Sequence, residues 1–415
     1  MKVITFGELM LRLQPYNYER FVQCDHVEFT FGGGEANVAV SLANYGMESV
    51  YVTKLPTHAI GQAAVNSLRY FGVDTSKIVR GGDRVGIYYL EKGASQRGSV
   101  CIYDRAHSAI QEADASDFNW DEIFDGADWF HFTGITPALG SNLVEICKQA
   151  CIAAKAKGVK ISCDLNYRGK LWTRAEAREA MTELCKYIDV CISNEEDAKD
   201  VFGIESENTD IYGGKLNKEG YKSVAKQLAD KFGFEKVAIT LRSSISANDN
   251  DWAGMLYDGE NYCFSKEYHL HIVDRVGGGD SFGGGLIYAL LSGKDTQSAI
   301  EFAVAASALK HSIDGDYNRV TVAEVEKLVG TELSVKSIDG KAEQKFTADE
   351  GMIRFCQYMY AYTSGNTADA EKYLRKLCKK IGKEYMGCAV IRMPENYIAM
   401  FTAPNQEQAS RTIAK

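Results

Sequence analysis

Through the first 330 residues, short apolar runs alternate with helix-length amphipathic ones, an order that few architectures accept. Strands are predicted at residues 3–6, 50–53, 129–133, 160–164, 190–193 and 236–240, with helices between them, among them 143–157 and 223–232. Apolar strands separated by helices form a mostly parallel sheet covered on both faces. Ligands bind such a sheet beyond the carboxyl ends of its strands. Two segments break the rhythm. Residues 10–30 and 84–104 alternate with the two-residue period of half-exposed strands, and 86–91 and 98–104 read as a hairpin around 93–98. A small projecting sheet of this kind is either a lid over a site or a plain surface hairpin.

Residues 274–285 read Asp-Arg-Val-Gly-Gly-Gly-Asp-Ser-Phe-Gly-Gly-Gly and lead into an apolar helical run. The amides of Gly277, Gly278 and Gly279 carry no side chains in the way, and a helix N-terminus adds positive potential, so an anion fits there. A carboxylate beside an anion hole suits phosphoryl transfer, with Asp280 taking a proton from a substrate hydroxyl. A glycine-rich turn with Asp280 as an ordinary helix cap would read the same way. No Gly-x-x-x-x-Gly-Lys-[Ser/Thr] occurs, and no strict Gly-x-Gly-x-x-Gly follows a strand. Nucleotide phosphates must therefore be held by other means.

Residues 32–46, Gly-Gly-Gly-Glu-Ala-Asn-Val-Ala-Val-Ser-Leu-Ala-Asn-Tyr-Gly, are a second glycine turn feeding a helix. The order and separation of the two loops resemble the PfkB (ribokinase-like) carbohydrate kinases over about residues 1–330. The resemblance implies an α/β ribokinase-like sandwich with a mostly parallel central sheet and a small β-sheet lid, which often pairs with a second subunit to give a homo-oligomer. It implies ATP and Mg2+, with a monovalent cation as a further candidate. The family's second motif usually reads Gly-Ala-Gly-Asp, and Gly278 stands here in place of the alanine. By resemblance, Asp280 is the base, with Gly277, Gly278 and Gly279 as the anion hole, and Gly33, Gly34 and Asn37 hold sugar hydroxyls. Asn194, Thr240, Arg242, Ala308 and His311 line the nucleotide side. Asp197, closing Asn194-Glu195-Glu196-Asp197 where the family has Asn-x-x-Glu, would reach Mg2+ through water, or else the quartet is the acidic first turn of a helix. Arg242 ends its strand where the family has a glycine in a loop beneath the nucleotide, and is either a phosphate contact or a plain surface residue.

The substrate question turns on two arginines. Tyr103-Asp104-Arg105 ends the lid hairpin, and Asp164-Leu165-Asn166-Tyr167-Arg168 ends a core strand. Guanidinium groups match a carboxylate in a bidentate way, so two aimed at one pocket suit an acidic sugar. Arg168 alone would also serve a structural or phosphate-side role. Tyr103, Arg105, Ile135 within Gly-Ile-Thr-Pro-Ala, and Gly315-Asp-Tyr-Asn together look most like the 2-keto-3-deoxygluconate kinases of the family. The implied reaction is transfer from ATP to the terminal hydroxyl of that sugar acid. A neutral-sugar kinase and a non-catalytic sugar-acid sensor are the alternatives.

A net charge of −9 without a Lys/Arg-rich run argues against a nucleic-acid partner, and no apolar stretch is long enough to cross a bilayer. The N-terminus enters a strand pattern directly, so no signal peptide is expected. Eleven cysteines at irregular spacing suit reduced thiols in a cytoplasm. Cys147 and Cys151 share a helix face and read as buried thiols. The kinase domain is expected over 1–334 and a polar linker over 335–348. A C-terminal α+β accessory module follows over 349–415, with two helices in 349–381 and a strand pair at 388–393 and 397–402.

Overall fold

In this computed structural model, residues 1–194, 196–206 and 218–330 are described, together with four short strands between residues 333 and 401. Strand β1 (Lys2–Phe6) is followed by β2 (Met10–Gln14), β3 (Glu28–Gly32), helix α1 (Gly34–Asn44) and β4 (Glu48–Val52). A two-residue parallel pair, β5 (Lys54–Leu55) and β6 (Val79–Arg80), flanks α2 (Ala59–Arg69). Next come β7 (Ile87–Glu91), β8 (Val100–Asp104), α3 (Trp120–Ile123), β9 (Trp129–Thr133), α4 (Ser141–Ala156), β10 (Lys160–Asp164), α5 (Arg174–Leu184) and β11 (Val190–Asn194). The rest of this part is α6 (Asp197–Phe202), α7 (Lys218–Phe232), β12 (Lys236–Ser244), β13 (Asp249–Tyr257), β14 (Tyr262–Phe264), β15 (Tyr268–His271), α8 (Gly278–Leu291), α9 (Thr296–Lys310) and α10 (Val322–Val329).

Six strands pair in parallel in the order β12-β11-β10-β9-β1-β4; β13 turns back antiparallel on β12 and pairs with β14 and β15. The two-residue period sends alternate side chains to opposite layers. Val3, Trp129, Val190 and Ile192 pack with Val38, Leu42, Phe282, Leu286 and Phe302 from α1, α8 and α9. Ile4, Phe130, Ile161 and Cys191 pack with Leu143, Ile146, Met181, Leu184, Val224 and Leu228 from α4, α5 and α7. Glycines inside α8 weaken it as an isolated helix but let its neighbours come close. A Cβ at Gly284 would lie 2.8 Å from Ser41 Cβ, and one at Gly285 would lie 3.1 Å from both Ala303 and Ala306. That contact sets the ends of α1 and α8 side by side. Cys147 and Cys151 are fully buried, as the helix face implies.

The lid is a four-stranded sheet ordered β3-β2-β7-β8. Only the ends of the predicted 10–30 segment are strand. Its register puts Thr30, Arg12, Tyr88 and Tyr103 in one row and Phe29, Leu13, Tyr89 and Ile102 in the adjacent one, which faces the other way. Arg12 and Tyr88 are buried, whereas Phe29 and Ile102 are about half exposed. The hairpin tip is tied to the β12–β13 turn: the Ala247 amide donates to Ser95 O (2.9 Å), and the Ser95 amide donates to Asn248 Oδ1 (2.7 Å).

The chain divides into two compact units, Met1–Val329 and Gly330–Lys415. In the second, β16 (Leu333–Lys336) pairs antiparallel with β17 (Glu343–Phe346), and β18 (Ala389–Arg392) with β19 (Ile398–Phe401). The stretch read as a polar linker, 335–348, therefore contains paired strands. Polarity misleads here because a two-stranded ribbon has no need of an apolar face along its whole length. Strands β18 and β19 lie where a strand pair is predicted, and the helices expected in 349–381 fall outside the described residues. Among the described residues, no helix is long and apolar enough to cross a membrane.

Candidate active site

The two glycine motifs, more than two hundred residues apart, meet at one carboxylate. Asp280 occupies the first turn of α8, and Asn37 the first turn of α1. Asn37 Nδ2 donates to Asp280 Oδ2 at 2.7 Å. A Cβ on Gly34 would sit 3.5 Å from Asp280 Oδ1, and one on Gly33 would strike the Glu8 carbonyl oxygen at 2.0 Å. The Asp280 carboxyl is pushed up from 3.8 to about 7. Burial is the main cause; the Asn37 hydrogen bond opposes it, and Asp316 and Glu35 add to it. A carboxyl half ionised near neutral pH is matched to proton abstraction.

Gly277 begins α8 at φ 79°, where a side chain is disfavoured and a Cβ would lie 2.1 Å from Asp316 O. The Gly278 amide is turned to Arg275 O at 3.3 Å, and the Ser281 amide bonds to Gly277 O. The first turn of a helix has no internal partners for its leading amides. Among the open donors at this end of α8 are thus those of Gly279 and Asp280, with the macrodipole behind them. Gly278 instead makes room: a Cβ there would lie 2.5 Å from His311 Cε1. The departure from Gly-Ala-Gly-Asp therefore has a steric partner. His311 is buried, bonds Ser307 O through Nδ1 at 2.7 Å, and packs on Trp252 with ring centroids 5.3 Å apart. Burial lowers its pKa to about 4, so the ring is neutral, and Arg275 and Arg242 act in the same direction.

On the lid side, two guanidinium charges bear on Tyr103. Burial lifts its phenol to about 12, and Arg168 and Arg105 both oppose that rise. The Arg105 guanidinium carbon lies 5.4 Å from the Tyr103 ring centroid. Arg105 is itself held by a partner that sequence reasoning missed. Its Nε and one terminal nitrogen donate to Glu8 Oε2, while Ser108 Oγ donates to Glu8 Oε1. Arg105 is thus not a free clamp; its second terminal nitrogen remains outside the pair. Arg168 is exposed, and its charge is felt by Asp164, Asp197 and Asp280. It follows Asn166, which holds a left-handed φ of 39°, a strained value for a non-glycine residue at the carboxyl end of a strand. Ile135 is half-buried, its amide bonded to Thr133 Oγ1 at 3.1 Å. Another missed residue, Glu35, is buried in α1 and accepts from Thr133 N, Thr133 Oγ1 and Thr136 Oγ1, which moors the first turn of α1 to the end of β9.

The residues expected on the nucleotide side are placed less uniformly. Asn194 Oδ1 accepts from the Glu196 and Asp197 amides, so it caps the start of α6, and Glu195 lies outside the described residues. Asp197 is buried; its two oxygens receive the Tyr167 amide (3.0 Å) and the Asn194 amide (3.4 Å). Thr240 is half-buried in β12, but the strand continues to Ser244. Arg242 is therefore an exposed strand residue opposite Trp252, not a loop residue, because the β12–β13 hairpin extends the ladder beyond the parallel sheet. Ala308 is buried in α9, one turn before His311. Beneath the loop lies a network the sequence does not announce. Arg12, with no exposed surface, donates to Asp316 Oδ1 at 2.6 Å and pairs with Asp274, and Tyr88 also donates to Asp316 Oδ1 at 2.6 Å. Burial alone would lower the Arg12 pKa, but Asp316 and Asp274 reverse the sign.

Comparison with known proteins accords with this geometry. The model of the pfkB family carbohydrate kinases matches residues 1–321. A 2-dehydro-3-deoxygalactonokinase of Haloferax volcanii is 33% identical over 330 residues, which is 79% of this chain and 96% of that one. The crystal structure of 2-dehydro-3-deoxygluconokinase from Thermotoga maritima is 52% identical, with a TM-score of 0.77, covering 79% of this chain and 98% of that chain. A 2-dehydro-3-deoxygluconokinase of Thermoproteus tenax is 26% identical over 76% of this chain and 90% of its own. With Asp280 and the open start of α8 set beside α1 on a ribokinase-like sheet, and with a family match that spans both glycine motifs, this chain belongs to the PfkB family of carbohydrate kinases.

Proposed function

We propose that this kinase transfers the γ-phosphoryl group of ATP to the terminal hydroxyl of 2-keto-3-deoxygluconate, also called 2-dehydro-3-deoxygluconate. The observation that carries the choice of an acid is Arg105 over the Tyr103 ring, 5.4 Å from its centroid, with the charge of Arg168 also bearing on that phenol. Arg105 already pairs with Glu8, so its second terminal nitrogen and the exposed Arg168 are the donors left for a substrate carboxylate. The names of the similar proteins from Thermotoga maritima and Haloferax volcanii support a keto-deoxy acid of this kind.

Asp280 takes the hydroxyl proton while Asn37 holds the carboxylate in place. The hydroxyl oxygen forms its bond to the γ-phosphorus, the bond from that phosphorus to the bridging oxygen breaks, and ADP leaves. The Gly279 and Asp280 amides, at the positive end of α8, offset the charge that develops on the phosphoryl oxygens. Gly33, Gly34 and Asn37 bind the sugar hydroxyls, with Tyr103, Arg105, Ile135 and Arg168 around the acid. Thr240, Arg242, Ala308 and His311 form the nucleotide side. Among the described residues, no group of three or more His, Cys, Asp or Glu side chains is arranged to hold a metal ion directly. Mg2+ would be carried largely by the phosphates and its own waters, with Asp197 as an outer partner through water.

The apolar row Phe29, Leu13, Tyr89 and Ile102 on the outer lid supports a homo-oligomer formed through that face. The described cysteines are all unpaired, which fits a reducing cytoplasm. The test is ATP consumption measured with 2-keto-3-deoxygluconate, its galactonate epimer, fructose and ribose. The keto-deoxy acids should give the highest kcat/KM. Preference for fructose or ribose over both acids would refute the two-arginine argument.

A further inference from the structure

Lys310 is the last residue of α9 and has no exposed surface. The proton-transfer chemistry above does not use it. Its Nζ turns back past the helix end and donates to two backbone carbonyls, Asp274 O and Ile313 O, each at 3.3 Å. Those oxygens belong to the two segments that shape the anion loop. Asp274 leads into Gly277, and Ile313 lies in the turn that continues to Asp316, whose carbonyl oxygen packs against Gly277. A Cβ on Gly277 would lie 3.4 Å from Lys310 Cε, so the lysine is directly under the loop. The same two segments are joined by the Val273 amide donating to His311 O at 2.8 Å. Burial lowers the Lys310 pKa from its usual value and Arg12 adds to that, while the charges of Asp274, Asp316 and Asp280 oppose it and favour the ammonium.

Two carbonyl dipoles aimed at one buried point repel each other unless a cation lies between them. A monovalent cation would seek this combination of carbonyl oxygens and nearby carboxylates, but a side-chain ammonium already takes those oxygens. The residues present therefore do not fit a separate monovalent ion beneath the loop. We propose that Lys310 is a positioning residue whose ammonium acts as a built-in monovalent cation, fixing the Gly277–Gly279 backbone so that turnover needs no added alkali ion. The proposal rests on the anion-loop assignment, whose own failure would appear as near-normal turnover in Asp280→Asn, a result independent of the salt used.

The first measurement uses the wild-type chain, with tetramethylammonium or potassium as the only monovalent cation. Equal kcat in both is expected, and several-fold activation by potassium would overturn the proposal. The second uses Lys310→Ala and Lys310→Met, the latter keeping the apolar stem, with circular dichroism to select the folded variant. In tetramethylammonium the folded variant should lose kcat on the order of tenfold to a hundredfold, with little change in KM for the sugar acid. Added potassium, ammonium or methylammonium should restore much of it, while wild type stays insensitive. A folded variant with full kcat, or one whose loss none of these ions relieves, would leave Lys310 only a structural role.

Discussion

At Asp280, catalytic fitness and stability pull in opposite directions. The carboxyl titrates near 7 in the fold and near 3.8 when unfolded. Between those values the unfolded chain binds fewer protons than the folded one, so stability falls as pH rises and levels off above about pH 7. Turnover runs the other way, because only the ionised form accepts a proton, and kcat/KM should climb through about pH 7. Asp280→Asn should therefore lose roughly two to four decades of turnover. Above pH 7 it should also be more stable, by on the order of 2 kcal/mol once solvent access to the half-buried group is allowed for, and so melt at higher temperature. Melting curves at pH 5 and pH 8 beside steady-state rates check both halves, and no stability gain at pH 8 would mean that the carboxyl ionises without cost. Gly278 makes a second residue-scale case. Gly278→Ala, the usual residue of the family, should cost about 1–3 kcal/mol by overpacking against His311 and displace the first turn of α8. His311→Ala in the same chain should recover most of that loss. Denaturant midpoints for the two single variants and the double variant measure the coupling, and additive effects would rule out the steric pairing.

Among elements, those with strong local signals were the legible ones. The strands at 3–6, 129–133 and 160–164 lie within or match the observed β1, β9 and β10, because buried parallel strands are apolar throughout and helices punctuate them. The helix predicted at 143–157 differs from α4 by two residues at one end and one at the other. The glycine loops could be found because glycine is demanded locally, by a left-handed φ at 277 and a close approach at 33. The partners of the site were not legible. Glu8 reaches Arg105 across 97 residues and Asn37 reaches Asp280 across 243, and no local pattern encodes such pairs. The one clue was the presence of charged residues, Glu8, Glu35, Asp274 and Asp316, inside otherwise apolar or glycine-rich runs. The lid carries its own prediction. Its outer row, centred on Leu13 and Tyr89, exposes Phe29 and Ile102. Ile102→Glu should reduce the solution mass measured by light scattering while leaving the fold intact. An unchanged mass, or a wild type that is already monomeric, would exclude this face as the subunit contact.

For the whole molecule, the division at Val329/Gly330 sets what can be removed. A chain ending at Gly340 would separate β16 from its partner β17, whereas one ending at Gly330 keeps Val329, whose carbonyl oxygen accepts from Lys266 Nζ at 2.8 Å. Truncation after Gly330 should leave turnover per folded molecule within about twofold of the full chain, since every residue assigned to the site precedes 320. A soluble, folded truncation without activity would show that residues 331–415 complete the site. The buried Arg12 reaches further, to the order in which the chain can be made. Its guanidinium is matched by Asp274 and by Asp316, 304 residues downstream. At roughly 5–20 residues per second of synthesis, the first lid strand waits about 15–60 s before its counter-charges leave the ribosome. Until then the charge has no buried partner, so the nascent lid must stay solvated, and the sheet cannot close over the site before α8 and α9 have emerged.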